Sequence, residues 1–494
     1  MSRIGFDNDK YLKMQSEHIL ERVDSFGGKL YLEFGGKLFD DYHASRVLPG
    51  FQPDSKLRML LKIKDKAEIV IAICAADIEK NKRRGDLGIT YDLDVMRLID
   101  TFRELGLYVG SVVLTQYRGQ RSAAVFKEKL ESMGVKVYKH YPIENYPSDV
   151  ALIVSDEGFG QNDYIETERP VVVVTAPGPG SGKMATCLSQ LYHEHKRGVD
   201  AGYAKFETFP IWNIPLKHPV NLAYEAATAD LSDVNMIDPF HLAAYGETTV
   251  NYNRDIEIFP VLSAMFEKIY GECRYKSPTD MGVNMAGNCI VDDDACCDAS
   301  SQEIIRRWYT SKCGYKKGTS MASEVQKQDV LMNELSLTCN DRPCVPPAIA
   351  LAEETGEPAC AIELSDGYIA TGKTKALMGA SCAAMLNALK HLAGIDDKIE
   401  LIAANVITPI QTLKTNHLGS KNPLLHLDQV LIALSICAVT NPTAALALKE
   451  LDNLKGAQAH SSVILSTEDE SAFKKLGVDV TCEPKYQTGK LFHG

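Results

Sequence analysis

Long apolar runs are missing from this sequence. No stretch reaches the roughly 18 apolar residues that a membrane-spanning helix needs, so no membrane partner is expected. The first ten residues mix charges where a secretory signal would need an apolar core, and a cytoplasmic location is the expectation. A basic stripe is missing as well. Lysines and arginines number 53 against 65 acidic residues, a net charge of −12, which argues against nucleic acid as a partner. The one compact basic run, Lys80–Arg84, reads as a solvated loop, with a local anion site as the alternative. Low-complexity tracts and fixed-period repeats are absent. So is a disulfide framework: several of the 13 cysteines (Cys74, Cys382, Cys437) lie in apolar runs and read as reduced core thiols. Cys289, Cys296, Cys297 and Cys313 lack finger-like spacing, and no zinc is expected there.

What is present is an ordinary globular composition, 45% apolar and 24% charged, in a chain of 494 residues, long enough for about three domains. From residue 67 to 196 strand and helix signals alternate. Glu68–Ile73, Tyr108–Thr115, Val135–Lys139, Val150–Ser155 and Val171–Thr175 read as strands; Asp92–Leu105, Ser122–Met133 and Met184–Lys196 read as amphipathic helices. The fold expected is α/β: a doubly wound, Rossmann-like, mostly parallel sheet in residues 1–220. Residues 197–220 look like an irregular connection. A mainly helical region, 221–345, carries Asn221–Ala229, Ile256–Tyr270 and Gln302–Tyr309, the last capped by Ser300 or Ser301. A C-terminal α/β/α layered domain, 346–494, has a hairpin (Ala359–Leu364, Tyr368–Thr371), a helix (Ala376–Leu392), strands at Ile399–Ala404 and Ser461–Leu465, and a long apolar helix, Leu427–Leu448. Pro442 should kink or split that helix, and its all-round apolar surface suggests a homo-oligomer contact, with burial inside its own domain as the alternative.

The strongest chemical signal is Val171–Thr175 running into a loop with glycines at 178, 180 and 182, then Lys183 at a helix start. Strand, glycine loop and helix N-terminus cradle phosphate through backbone N–H groups. The loop is not a full P-loop, because Pro177 replaces its first glycine and Met184 its magnesium-binding hydroxyl. Pro177 and Pro179 lack N–H groups, which leaves donors at Gly178, Gly180, Ser181, Gly182 and Lys183. Gly182 is expected where a Cβ would intrude on the anion. The alternative is a glycine turn needed only for packing. Beyond the other strand ends lie Asp77, Arg118, Arg121 and Asp156; the arginines would add charge, Asp156 would position a metal or hydroxyl, and Lys183 and Asp156 are the catalytic candidates.

Gly367–Thr374 matches the P-loop pattern letter for letter, yet its middle residues, Tyr368–Thr371, favour a hairpin arm. That hairpin and the helix bearing Ser381–Ala384 resemble the core of the cytidine-deaminase-like fold. Ala384 stands where that family has a glutamate, and Lys373–Lys375 replaces its ligand-bearing loop, so the resemblance implies topology without zinc chemistry. End to end, Leu32–Gly50, residues 171–187 and Pro210–Pro219 resemble a family of uncharacterised bacterial proteins, a domain of unknown function sometimes labelled "ATP-dependent zinc protease".

The residues do not support that label. His193–Glu194 is followed by Arg197 where His-Glu-x-x-His needs histidine, and Tyr192 breaks the inverted pattern; His193 and His195 read as solvated helix-end histidines. Asp292–Asp294 reads as an acidic turn before a helix, with a magnesium site as the alternative. His417, His426 and His460 offer a polar site only if the fold gathers them. The reading is an enzyme that binds a phosphorylated small molecule, ATP or another nucleotide with or without Mg, and performs transfer or ligation. The alternative is a non-catalytic sensor or scaffold.

Overall fold

A computed structural model describes residues 3–35, 38–39, 41–84, 87–231 and 233–487. Gly36, Lys37 and Asp40 of the 32–50 motif lie outside them. Contacts divide the chain into two compact units, Ile4–Glu225 with Ser232–Cys297, and Met1–Arg3 with Ala226–Leu231 and Asp298–Gly494.

The first unit is built on seven strands: β1 (Leu30–Phe34), β2 (Ala67–Cys74), β3 (Tyr108–Thr115), β4 (Lys136–Lys139), β5 (Val171–Thr175), β6 (Gly202–Phe206) and, after a ribbon of β7 (Asn235–Ile237) and β8 (Val250–Tyr252), β9 (Gly282–Val283). They lie in the order β4-β3-β2-β5-β1-β6-β9, every neighbouring pair parallel. β1, β2 and β5 are buried along their whole length, which is why β5 is an unbroken run of valine and β2 a run of isoleucine, valine and alanine after Glu68, while β1 carries Tyr31 and Glu33 among its apolar residues. β2 leads on to β3 and β4 on one side, and β5 to β6 and β9 on the other. The winding therefore reverses between neighbours β2 and β5, and the crevice beyond their carboxyl ends is the place where such sheets bind ligands. Helices Tyr91–Glu104, Arg121–Ser132 and Lys183–Lys196 fall within a residue of expectation.

Four expectations are corrected. Val150–Ser155 is not a strand: Asp149 caps the N–H of Leu152 (3.1 Å) and Val150–Ile153 makes one helical turn. The connection 197–220 contains β6, whose alternation of Tyr203 and Lys205 with Ala204 and Phe206 disguises a buried strand as an irregular segment. The helix expected at 302–309 runs from Asp293 to Lys317, so Ser300 and Ser301 lie inside it. Its acidic start does precede and cap it: Asp292 Oδ1 accepts from the N–H of Ala295 (3.1 Å). Ile399–Ala404 forms no strand; Leu401 and Ile402 plug the C-terminal core and Ala404 opens the helix Ala404–Thr412.

The second unit carries a mixed sheet, β10 (Ala359–Glu363), β11 (Ile369–Lys373), β12 (Gln458–Ser461) and β13 (Asp479–Cys482), in the order β11-β10-β12-β13. β10 is antiparallel to both neighbours, and β12 and β13 are parallel. β12 thus ends where the expected strand 461–465 begins. Gly367–Thr374 is the hairpin, not a P-loop: Gly367 turns it at φ +84°, and a Cβ on Gly372 would stand 2.2 Å from the backbone nitrogen of Ala384 in the helix Ala380–Leu392 packed on it. The segment 427–448 splits at Pro442 into Leu427–Cys437 and Pro442–Lys449, with Asn441 capping the second piece. No helix among the described residues is long and apolar enough to cross a membrane.

Candidate functional site

The glycine loop joins β5 to the Lys183–Lys196 helix at the crevice between β2 and β5. Gly180 (φ +78°) and Gly182 (φ +85°) are both left-handed on either side of Ser181, the alternation that turns successive N–H groups toward one point. Among the described residues no acceptor takes the N–H of Gly178, Gly180, Ser181, Gly182 or Lys183. The carbonyl side is pinned instead. Thr115 Oγ1 at the end of β3 donates to Ser181 O (2.8 Å), Ser181 Oγ to Gly178 O (2.9 Å) and Thr186 Oγ1 to Gly182 O (2.9 Å). Holding carbonyls by side chains while leaving amides open is how a loop stays shaped for an anion. A Cβ on Gly182 would meet the Thr115 side chain at 3.1 Å, and its φ of +85° is one that other residues rarely adopt.

Of the sequence candidates, Gly178, Gly180, Ser181, Gly182 and Lys183 share this loop. Arg118 is exposed on the connection just after β3, the strand whose Thr115 clamps the loop, and Arg121 is exposed at the start of the helix that follows. Asp77 lies beyond β2, paired with Lys82 Nζ at 3.1 Å. Asp156 is not brought to the loop. It accepts from Tyr192 Oη (2.7 Å) and pairs with Lys196, and both partners sit toward the opposite end of the helix that Lys183 begins. Thirteen residues of helix separate Lys183 from Lys196, roughly 20 Å, too far for one small ligand to touch both.

A cluster that sequence reasoning missed lies two strands away on the same edge. Parallel register sets Val174 of β5, Glu33 of β1 and Lys205 of β6 in one row. Tyr31, Glu33, Tyr203 and Lys205 share the sheet face covered by the 183–196 helix, where Tyr31 Oη donates to Glu194 (2.7 Å) and Tyr203 Oη to Glu33 (2.7 Å). Just beyond, Lys205 Nζ is 2.8 Å from Glu207 Oε1 and 2.5 Å from Asp255 Oδ2 in the first turn of helix Asn253–Tyr270. Burial alone would lower the Lys205 ammonium, but Asp255, Glu207 and Glu33 outweigh it and hold it charged. Burial pushes Glu207 up to about 7, against the pull of Lys205 and helped by Asp255. Burial, and then the charge of Glu33, push the thiol of Cys187, one turn into the helix, well above the usual thiol range, against the opposing charge of Lys183.

Residues 4–336 match the family profile "Domain of unknown function DUF1846, N-terminal" and residues 340–492 its C-terminal counterpart. The chain belongs to the DUF1846 family. It is 58% identical over 492 residues, covering 100% of both chains, to a UPF0371 protein of Streptococcus thermophilus (strain CNRZ 1066). Similar UPF0371 proteins of Streptococcus sanguinis (58%) and Streptococcus pneumoniae strain Hungary19A-6 (57%) also match over 100% of both chains. The glycine loop and the Lys205 cluster both fall within the N-terminal DUF1846 match.

That N-terminal part also gathers residues that are remote in sequence. His218 Nε2 lies 3.1 Å from Asp293 Oδ1 and 3.5 Å from Cys297 Sγ, the one group of three or more metal-ligating side chains this close among the described residues. The other ring nitrogen argues against a metal. His218 Nδ1 accepts the N–H of Val220 (3.2 Å), so the neutral imidazole carries its proton on Nε2, the atom a metal would need. The trio is satisfied as hydrogen bonds, Nε2–H donating to Asp293. His193 is half-buried rather than solvated, and burial lowers it; His195 is exposed. In the C-terminal part His426 meets Ser466 (3.2 Å) and buried His460 meets Thr481 (2.9 Å), contacts separate from each other.

Proposed function

We propose that the 176–183 loop binds the phosphate of a nucleotide or phosphorylated metabolite, and that the protein is an enzyme of phosphoryl transfer or ligation. The observation that supports this reading is the row of amides from Gly180 to Lys183 with no acceptor among the described residues, at the crevice where the sheet reverses its winding. Lys183 would add a charged hydrogen bond, and Arg118 and Arg121 a positive rim. ATP is the first ligand to try. Met184 leaves the helix start without the hydroxyl that holds magnesium in a P-loop, so any Mg would arrive bound to the nucleotide.

A second reading, a non-catalytic sensor or scaffold, has its own support. Gly178 lies where a Cβ would stand 2.2 Å from Tyr91 Oη, and Gly182 is packed on Thr115, so tight packing by itself accounts for two of the three glycines. It does not account for Gly180, which has nothing within 4 Å of its Cβ position. Turnover of ATP by the purified protein, with and without a panel of small acceptors, separates the two readings. Release of ADP supports the enzyme; binding without turnover supports the sensor.

A further inference from the structure

A cleft of about 270 Å³ opens beside β9, the edge strand of the seven-stranded sheet, and charges of both signs line it. Arg22 comes from the last turn of helix Asn8–Ser25, Asp280 from the turn just before β9, and Glu247 from the connection that leads into β8. Trp212 and Met285 supply apolar wall. The wall is fixed in place. A Cβ on Gly282 of β9 would stand 2.5 Å from Trp212 Cζ2, so glycine lets the indole lie this close to the strand. Asn284 holds the loop that carries the indole, donating to Thr208 O (3.2 Å) and Pro210 O (2.8 Å).

The charges of this cleft do not satisfy one another. The Arg22 guanidinium reaches the carbonyl of Gly282, at 3.4 Å, and pairs with no carboxylate among the described residues. Asp280 keeps 18% of its side-chain surface open. Its Oδ2 accepts from Tyr245 Oη (2.9 Å) and from the N–H of Lys276 (2.8 Å), whereas its Oδ1 takes no hydrogen bond from the described residues. His241 Nδ1 stands off from that oxygen at 3.8 Å and bonds Ser277 Oγ (2.9 Å) instead. Glu247 is exposed and meets no cation among the described residues. A lone guanidinium and a carboxylate oxygen without a donor thus share one cleft and do not touch.

We propose that this cleft binds a free α-amino acid with an apolar side chain. The ligand's carboxylate pairs with Arg22, its ammonium donates to Asp280 Oδ1 with Glu247 adding negative charge at the rim, and its side chain lies against Trp212 and Met285. A zwitterion answers unpaired charges of both signs at once. A phosphate ester would meet Asp280 and Glu247 as like charges, and a metal ion would meet Arg22 as one. The volume is at the small end for ligand clefts, which suits a single amino acid rather than a longer peptide. The cleft shares no residue with the glycine loop, so it stands or falls without the phosphate reading.

The test uses the full-length protein with Trp308→Phe, which leaves Trp212 as the single indole of the chain's two. Its emission is followed near pH 7 during titration with L-leucine, L-methionine, leucinamide and glucose. A saturable change is expected with at least one of the two amino acids. Leucinamide, which lacks the carboxylate, is expected to bind about tenfold more weakly than leucine or not at all. Arg22→Gln should weaken the amino acid by about tenfold or more and erase its advantage over the amide. Circular dichroism confirms that the variants fold, and calorimetry of wild type with the same four compounds ranks them without any substitution. No response to either amino acid, a response to glucose alone, or equal amino-acid affinity with and without Arg22→Gln overturns the assignment.

Discussion

Thr115 Oγ1 donates to the carbonyl of Ser181 at 2.8 Å, tying the end of β3 to the glycine loop across the end of β2. The bond reaches the loop from a strand that is not its neighbour and fixes the peptide between the two left-handed glycines. Thr115→Val keeps the shape and removes the donor. It should cost about 0.5–1.5 kcal/mol of stability and weaken binding of any phosphate ligand without abolishing it. Thermal unfolding together with calorimetry would check both, and unchanged affinity would mean that the bond does not shape the loop.

Two of the loop glycines should respond differently to alanine. Gly178→Ala places a Cβ 2.2 Å from Tyr91 Oη and must displace that ring, costing about 1–3 kcal/mol. Gly180→Ala meets nothing and bears only the left-handed backbone penalty, about 1 kcal/mol. Chemical denaturation of the two variants ranks them, and a reversed order would contradict the packing described.

Much of this was legible beforehand. β3 and β5 fall where their β-branched runs place them, because a strand buried on both faces needs no alternation to be recognised. Gly367–Thr374 was readable as a hairpin because tyrosine, isoleucine and threonine occupy the supposed flexible loop. The Lys205 cluster was not legible. Glu33 and Lys205 interrupt apolar strands 172 positions apart in the chain, and only the parallel pairing of β1 with β6 sets them side by side. Asp156 misled for a related reason: taking Val150–Ser155 for a strand put it on the ligand edge, whereas a capped helical turn puts it beside Lys196.

Stability should carry two opposed pH dependences. Glu207 holds its proton up to about pH 7 when folded, against an ordinary value of 4.5 when unfolded. Its contribution is therefore complete below pH 4.5 and is lost as pH rises to about 7, by about 3 kcal/mol. His140, lowered to about 3 by burial, does the reverse: stability falls as pH drops from 6.5 toward 3, by roughly 4–5 kcal/mol. Urea unfolding across this range should show Glu207→Gln flattening the loss toward neutral pH and His140→Gln flattening the acid loss. A Glu207→Gln profile parallel to wild type would contradict the first assignment.

Zinc should be far below one atom per subunit by elemental analysis, and Cys297→Ser should leave that content unchanged, because His218 Nδ1 is already an acceptor for Val220. Stoichiometric zinc that disappears in Cys297→Ser, with chelator-sensitive proteolysis, would overturn this account of the cluster.

Ile432, Ile436 and Val439 are exposed in and just beyond the Leu427–Cys437 helix at a spacing that forms one stripe. If two copies meet through it, light scattering at micromolar concentration should give a dimer that Ile436→Glu converts to a monomer. A wild-type monomer of 54.4 kDa would rule the contact out.

The most direct test of the phosphate site is calorimetric titration of a nucleotide and sugar-phosphate panel into wild type, Lys183→Ala and Gly180→Val. The account predicts saturable one-to-one binding of at least one compound, weakened by about 1.5–3 kcal/mol in Lys183→Ala and more severely in Gly180→Val, whose side chain would stand beside the open amides. No binding by wild type, or equal binding by all three proteins, would contradict it.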